Sequence, residues 1–312
     1  MAQVQTTAGP LDVESLGLTL VHEHLRIRSE QVVAQFPHIY DDDHEFERAV
    51  DQVNRAKALG VTTICEPTVM GNGRDARFAQ RVAEETGMQI VLSTGIYTYH
   101  YLPAHFQNRD EDYMAELFVR DIEIGIQGTD VKAGFLKCCT DEHGMTPDVE
   151  KVLRAVARAS KQTGRPIMTH SHPASGSGLQ QMGIFMEEGV DPAKVMIGHT
   201  GDTDSLHYIE TLLAMGPYIG MDRYGIDIIL PTERRNATLL ELVRRGYADR
   251  MFISQDTCCT IDWYPEELVA EMAPNWHMGY VLGEVIPGLM EQGLEQSAVD
   301  QMLLENPKRW LG

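Results

Sequence analysis

Short runs rich in apolar and β-branched residues recur along the whole chain, at positions 18–24, 61–67, 90–97, 133–140, 166–173, 195–201, 218–224 and 251–258. Runs this short, apolar without strict alternation, suit parallel strands covered on both faces. Between them, at 45–59, 76–86, 113–124, 149–162 and 237–246, apolar residues return every three or four positions, the period of amphipathic helices. In the fourth of these, Val149, Val152, Leu153, Val156 and Ala157 share one face and charges take the other. Gly60, Gly87, Gly164, Gly189 and Gly216 each close a helical segment ahead of a strand, where a left-handed residue stops a helix. Asp148 after Pro147 and Thr232 after Pro231 are expected to begin helices. Strand and helix alternating eight times predict an α/β fold, a (β/α)8 TIM barrel. The alternative is an open doubly wound sheet, but no G-x-G-x-x-G follows an early strand. No linker, charge run or low-complexity segment divides the chain, so residues 1–312 are expected to form a single domain. Residues 297–312 read as a last helix ending at Asn306-Pro307, and the apolar stretch 257–287 follows the eighth strand, on the catalytic face of a barrel.

Composition narrows the partners more than the fold. With 43% hydrophobic residues among 312, the chain can bury one large core, and its periodic segments argue against disorder. The formal net charge is −20 and no Lys/Arg-rich block offsets it, so a phosphate backbone is repelled and nucleic acid is not an expected partner. The first ten residues lack a basic segment followed by an apolar one, so no secretory signal is expected. No run of about 18 apolar residues occurs to span a membrane. Cys65, Cys138, Cys139, Cys258 and Cys259 are odd in number and form no C-x-x-C, which suits reduced thiols and a cytoplasmic location.

The chemistry collects at strand ends. The first strand ends in His22-Glu23-His24, and side chains two apart on a strand face the same way, so His22 and His24 can grip one metal while Glu23 points elsewhere. Strand five ends in Thr169-His170-Ser171-His172, strand six in Gly198-His199-Thr200 and strand eight in Gln255-Asp256-Thr257. Imidazoles with a carboxylate suit a borderline divalent ion such as zinc, cobalt, manganese or iron. One strand-end histidine by itself is more often a satisfied rim residue than a ligand; several converging on one barrel mouth are not. Lys137 ends the apolar run Ala133-Gly134-Phe135-Leu136, where an ammonium is costly to desolvate. Either it snorkels to the rim, or its amine is carboxylated by carbon dioxide and bridges two cations about 3.5–4 Å apart.

The set His22, His24, Lys137, His170, His199 and Asp256, on strands one, four, five, six and eight, resembles the metal site of the amidohydrolase superfamily, and within it that of the phosphotriesterase-like lactonases. Val21-His22-Glu23-His24-Leu25-Arg26, Pro67-Thr68-Val69-Met70-Gly71, Thr94-Gly95-Ile96-Tyr97 and Ala133-Gly134-Phe135 are similar to that family's motifs. So are Ile197-Gly198-His199, Gly201-Asp202-Thr203-Asp204, Met221-Asp222-Arg223-Tyr224-Gly225 and Cys258-Cys259-Thr260-Ile261-Asp262-Trp263, and the likeness covers essentially the whole chain. Gln255 stands where that family leads one to expect His or Asn.

The resemblance implies two divalent metal ions per subunit, zinc, cobalt, iron or manganese. His22, His24 and Asp256 would hold the buried ion, His170 and His199 the more exposed one, with N6-carboxylated Lys137 and a hydroxide bridging them. In the reaction it implies, the hydroxide attacks a lactone or ester carbonyl and Asp256 passes the proton to the departing alkoxide. Tyr97 is expected to donate a hydrogen bond toward the substrate, and Arg223, beside Asp222, to position substrate or hold the long loop. His172 is expected near the ligands without being one, and Asp202 and Cys258 at the pocket wall. Ile226, Ile228, Ile229 and Leu230, with Trp263 and Tyr264, offer an apolar wall for an acyl chain, or else simply cap the barrel or form a dimer face. The expected substrates are therefore small-molecule lactones or esters, N-acyl homoserine lactones and alkyl γ- or δ-lactones first, with phosphotriester hydrolysis as a side reaction. The rivals are a primary phosphotriesterase, a sugar-phosphate lactonase drawing on Arg223, Arg234 and Arg235, and a non-catalytic metal-stabilised binding protein. A homodimer is implied by the resemblance alone.

Overall fold

The computed structural model describes residues 2–312. Eight strands form one parallel sheet in sequence order: Thr19–Leu20, Thr63–Glu66, Gln89–Gly95, Phe135–Cys139, Ile167–His170, Val195–Ile197, Tyr218–Met221 and Met251–Ile253. The last of these carries no ladder to the first, and the seam closes above them. There Thr257–Cys258 pairs in parallel with Glu23–His24, while the Asp256 and Cys259 amides donate to the His22 and His24 carbonyls at 3.0 Å each. The result is the expected (β/α)8 barrel. Its first and eighth strands are each broken, at Val21-His22 and at 254–256, where ligand-type residues leave strand geometry.

The barrel interior explains why the site lies where it does. Cys65, Val91, Phe135, Met168, Met196, Tyr218 and Phe252, one from each of seven strands, form a buried apolar layer. Chain termini plug it from below: Val4 of the hairpin Gln3–Thr6/Gly9–Asp12, together with Trp310 and Leu311 of the last helix, pack into the same cluster. Two residues beyond Phe135 and Met168, on the same inward face, stand Lys137 and His170.

The helix expected at 76–86 runs Ala76–Thr86, but the other outer helices begin earlier than their apolar periodicity suggests. Those expected at 149–162 and 237–246 run Pro147–Thr163 and Thr232–Arg244. The first is capped by the Thr146 hydroxyl, with Pro147 in its first turn, where a missing N–H costs nothing; Asp148 instead accepts from the Leu102 amide at 2.8 Å. Thr232 is the first helical residue, and Pro231 stands at the cap position. All five expected helix-stopping glycines have positive φ. The C-terminal helix does not end at Asn306-Pro307. A π-turn, Gln301–Glu305, admits the proline and the helix continues as Asn306–Leu311. Asn306 is fully buried and donates from its amide to Ala248 O and Met251 O at 2.9 and 2.6 Å, tying this helix under strand eight. No helix of the described residues is long and apolar enough to cross a membrane.

Candidate metal centre and active site

His22, His24, Lys137, His170, His199 and Asp256 meet at the C-terminal mouth of the barrel, none more than 7% exposed, and all six line one cavity of about 260 Å³. Among the described residues, His22, His199 and Asp256 each present a ligand atom within 4.8 Å of the other two. Asp256 Oδ1 also lies 3.3 Å from His24 Nε2, and the His170 and His199 rings stand 4.5 Å apart. His199 and Asp256 have φ of 61° and 53°, a left-handed conformation that costs a non-glycine residue about 1–3 kcal/mol and persists only where neighbours enforce it.

Hydrogen bonds fix the tautomers. His22 Nδ1 donates to Asp222 Oδ2 at 2.7 Å, which leaves the Nε2 lone pair facing Lys137 Nζ at 2.9 Å and Asp256 Oδ1 at 3.2 Å. His24 Nδ1 donates to Thr68 Oγ1 at 2.7 Å, and the Thr68 hydroxyl donates onward to Glu66. Asp222 is wholly buried and also accepts from the His199 amide, at 2.7 Å, and from His199 Nδ1, at 3.2 Å. His170 Nε2 donates to Asp141 Oδ2 at 2.5 Å, so its Nδ1 accepts from the Tyr97 hydroxyl at 3.0 Å.

These arrangements set the charge states. Burial pushes the His170 imidazole down to about 4, and burial with Arg223 nearby holds His199 well below its ordinary value. Burial, then Lys137, lowers His22, and burial lowers the Lys137 amine itself. Burial opposes ionisation of Asp222 and Asp256, yet the imidazoles around them outweigh it and keep both carboxylates well below their usual range. At His24, burial is outweighed by Asp256 and Glu66, which raise its pKa; the charge these carboxylates call for at Nε2 can be a proton or a cation. Nε2 atoms of two histidines and a carboxylate oxygen thus converge as acceptors. This donor set fits a borderline divalent ion.

Arg223 pairs with Asp256, Nε to Oδ2 at 3.0 Å, and with Asp202, Nη1 to Oδ2 at 3.0 Å, rather than with its neighbour Asp222. Arg235, buried, holds the other oxygen of Asp202 at 2.7 Å. Asp202 is therefore a support behind Arg223 and does not line the cavity. His172 is likewise outside the wall, whereas Cys258 is in it. Asn72 also lines the cavity, and most of the rest of the wall is apolar: Ile226, Ile228 and Ile229 after strand seven, then Ile261, Trp263, Tyr264, Val269 and Met272 after strand eight. Leu230, expected there, is instead core, at 5% exposure. Gln255 turns away from the site and is held by Met278 O and the Val281 amide, at 2.9 and 3.2 Å.

Four supporting residues escaped the sequence reading. Tyr99 lines the cavity with its hydroxyl 2.9 Å from that of Tyr97. Asp141, Thr68 and Glu66 orient His170 and His24. Glu66, a charge inside an apolar strand, was a visible signal; Asp141 just past the fourth strand was a weaker one.

Residues 2–311 match the model of the phosphotriesterase family. The chain belongs to the phosphotriesterase family. Within this family it is 48% identical over 302 residues, 96% of each chain, to a protein of Saccharolobus solfataricus named aryldialkylphosphatase. It is 44% identical to a Mycobacterium tuberculosis phosphotriesterase homology protein over 99% of this chain and 97% of the other. The solved structure of the phosphotriesterase from Mycobacterium tuberculosis superposes with a TM-score of 0.96 at 44% identity, covering 99% and 98% of the two chains. The protein is thus a hydrolase of the amidohydrolase superfamily, in a metal-dependent family that acts on small-molecule esters.

Proposed function

We propose that this family member is a lactonase, hydrolysing N-acyl homoserine lactones and other hydrophobic γ- and δ-lactones, with weaker activity on phosphotriesters. One observation carries the reading: an apolar wall of Ile226, Ile228, Ile229, Trp263, Tyr264 and Met272 stands over a floor of buried imidazoles and Asp256. An acyl chain fits that wall, and a polar ring fits the floor. A phosphorylated sugar fits less well, because Arg234 is drawn off by Asp204 and Arg235 is buried against Asp202, neither reaching the cavity, and Arg223, which lines it, is already paired with Asp256 and Asp202.

In this reading His22, His24 and Asp256 would hold one divalent ion and His170 and His199 a second, with carboxylated Lys137 as a further anionic ligand. Bound there, such ions would supply a hydroxide near neutral pH and Lewis-acid polarisation of an acyl oxygen. The chain's own groups do the rest. Burial lowers the Lys137 pKa, which favours the neutral amine that reaction with carbon dioxide requires. Tyr97, whose phenol burial holds well above its ordinary pKa, stays protonated and donates to the carbonyl or ring oxygen. Asp256 receives the proton released on attack and returns it to the alkoxide as the ring C–O bond breaks. Arg223 fixes the Asp256 carboxylate through its 3.0 Å contact. Trp263, Ile229 and Cys258 contact the acyl portion.

A primary phosphotriesterase is the second reading, favoured by the name of the Saccharolobus solfataricus relative. The tetrahedral intermediate of lactone opening resembles the tetrahedral phosphorus centre of a phosphotriester, so one floor can serve both reactions. Comparison of kcat/KM for an N-acyl homoserine lactone and for paraoxon separates them: a preference for the lactone supports the proposal, and a strong preference for paraoxon overturns it.

A further inference from the structure

Glu23, between the two histidines of the first strand, has no role in the chemistry above. It is fully buried. Strand alternation sends His22 and His24 into the barrel and Glu23 toward the seam, where it pairs with Thr257. Its Oε1 accepts from Ser254 Oγ at 2.7 Å and from the Gln255 amide at 3.0 Å, while Oε2 accepts from the Thr257 amide at 2.9 Å. The two amides flank Asp256, which stands at φ 53°. On the other side of the same turn, Trp276 Nε1 donates to the carbonyls of Gln255 and Asp256, at 3.0 and 2.9 Å.

We propose that Glu23 is a positioning residue: by gripping the amides before and after Asp256 it enforces the left-handed turn that aims the Asp256 carboxylate at His22 and His24. Without that grip nothing on this side of the turn holds Asp256 at φ 53°, a conformation that persists only where neighbours enforce it, and once the turn relaxes the Asp256 carboxylate loses its aim at the histidines. Three donors converge on two oxygens, so a carboxylate serves where an amide does not. In Glu23→Gln the NH2 group faces at least one of those donors.

The proposal rests on reading His22, His24 and Asp256 as metal ligands. Its test is titration of metal-stripped wild-type, Glu23→Gln and Glu23→Asp proteins with Co2+, following the visible spectrum, with circular dichroism as the check on folding. Folded Glu23→Gln is expected to bind the first equivalent of Co2+ about 10–100-fold more weakly, the usual effect of losing an outer support of a ligand. Its d–d bands are expected to shift, and kcat to fall with KM nearly unchanged. Glu23→Asp keeps both carboxyl oxygens but shortens the reach and is expected to fall between; it carries the test if Glu23→Gln does not fold. Wild-type affinity and spectrum in a folded variant overturn the proposal, whereas wild-type protein that takes up no Co2+ overturns the metal reading beneath it.

Discussion

Asp222 supports two of the proposed ligands at once, and replacing it by Asn separates positioning from bulk stability. Its two oxygens receive three donors: His22 Nδ1 at 2.7 Å, the His199 amide at 2.7 Å and His199 Nδ1 at 3.2 Å. Asn offers one acceptor and one donor in the same volume. The His199 amide cannot become an acceptor, so the Asn oxygen stays with it and the NH2 group turns to His22. The His22 ring then moves its proton to Nε2, the nitrogen that faces Asp256. A protonated Nε2 cannot bind a cation. Loss of such an outer partner lowers metal affinity or activity about 10–100-fold, or ~1.4–2.8 kcal/mol. One neutral hydrogen bond exchanged for another changes stability by about 1 kcal/mol. Measured together, kcat on a homoserine lactone, metal affinity and thermal midpoint should show at least one of the first two falling by tenfold or more and the third moving by a few degrees. Asp222→Asn with full metal affinity and full kcat would refute the tautomer argument.

Three further outcomes are expected. Ile229→Asp places a charge on the apolar wall, where Ile229 is 44% exposed; kcat/KM for a long-chain lactone should drop about tenfold, equivalent to losing about two buried methylenes, with short δ-lactones spared, as steady-state assays across chain lengths would show. Lys137→Met should abolish lactone hydrolysis in protein that still folds, and intact-mass analysis of wild type under native conditions should find one added carbon dioxide that acid removes. Asn306→Ala leaves Ala248 O and Met251 O without their side-chain donor and should cost about 1–3 kcal/mol in urea unfolding with kcat unchanged.

The barrel was legible because parallel strands buried on both faces read as apolar runs, and five of the eight runs follow a glycine-stopped helix. Helix starts were less legible: Pro147 and Thr232 extend the helices beyond their apolar periodicity, since first turns need no apolar face. Pro307 misled for a related reason, since a widened π-turn absorbs a proline that an α-turn rejects. At the site, the residue types at strand ends announced themselves. Their supports did not. His22 finds Asp222 some 200 positions away, and whether Arg223 faces Asp222 or Asp256 depends on which way strand seven turns its last residues. Asp222 points to two imidazoles, which left Arg223 to Asp202 and Asp256. Such pairings follow from the stagger of neighbouring strands and leave no trace in local pattern.

The central claim is that this site uses bound metal to open hydrophobic lactones. It is tested most directly by kcat/KM for N-octanoyl homoserine lactone and for paraoxon, on enzyme loaded to a series of measured metal contents. Hydrolysis rising in proportion to bound metal, with the lactone preferred, is the predicted result; activity independent of metal, or a strong preference for paraoxon, would contradict it.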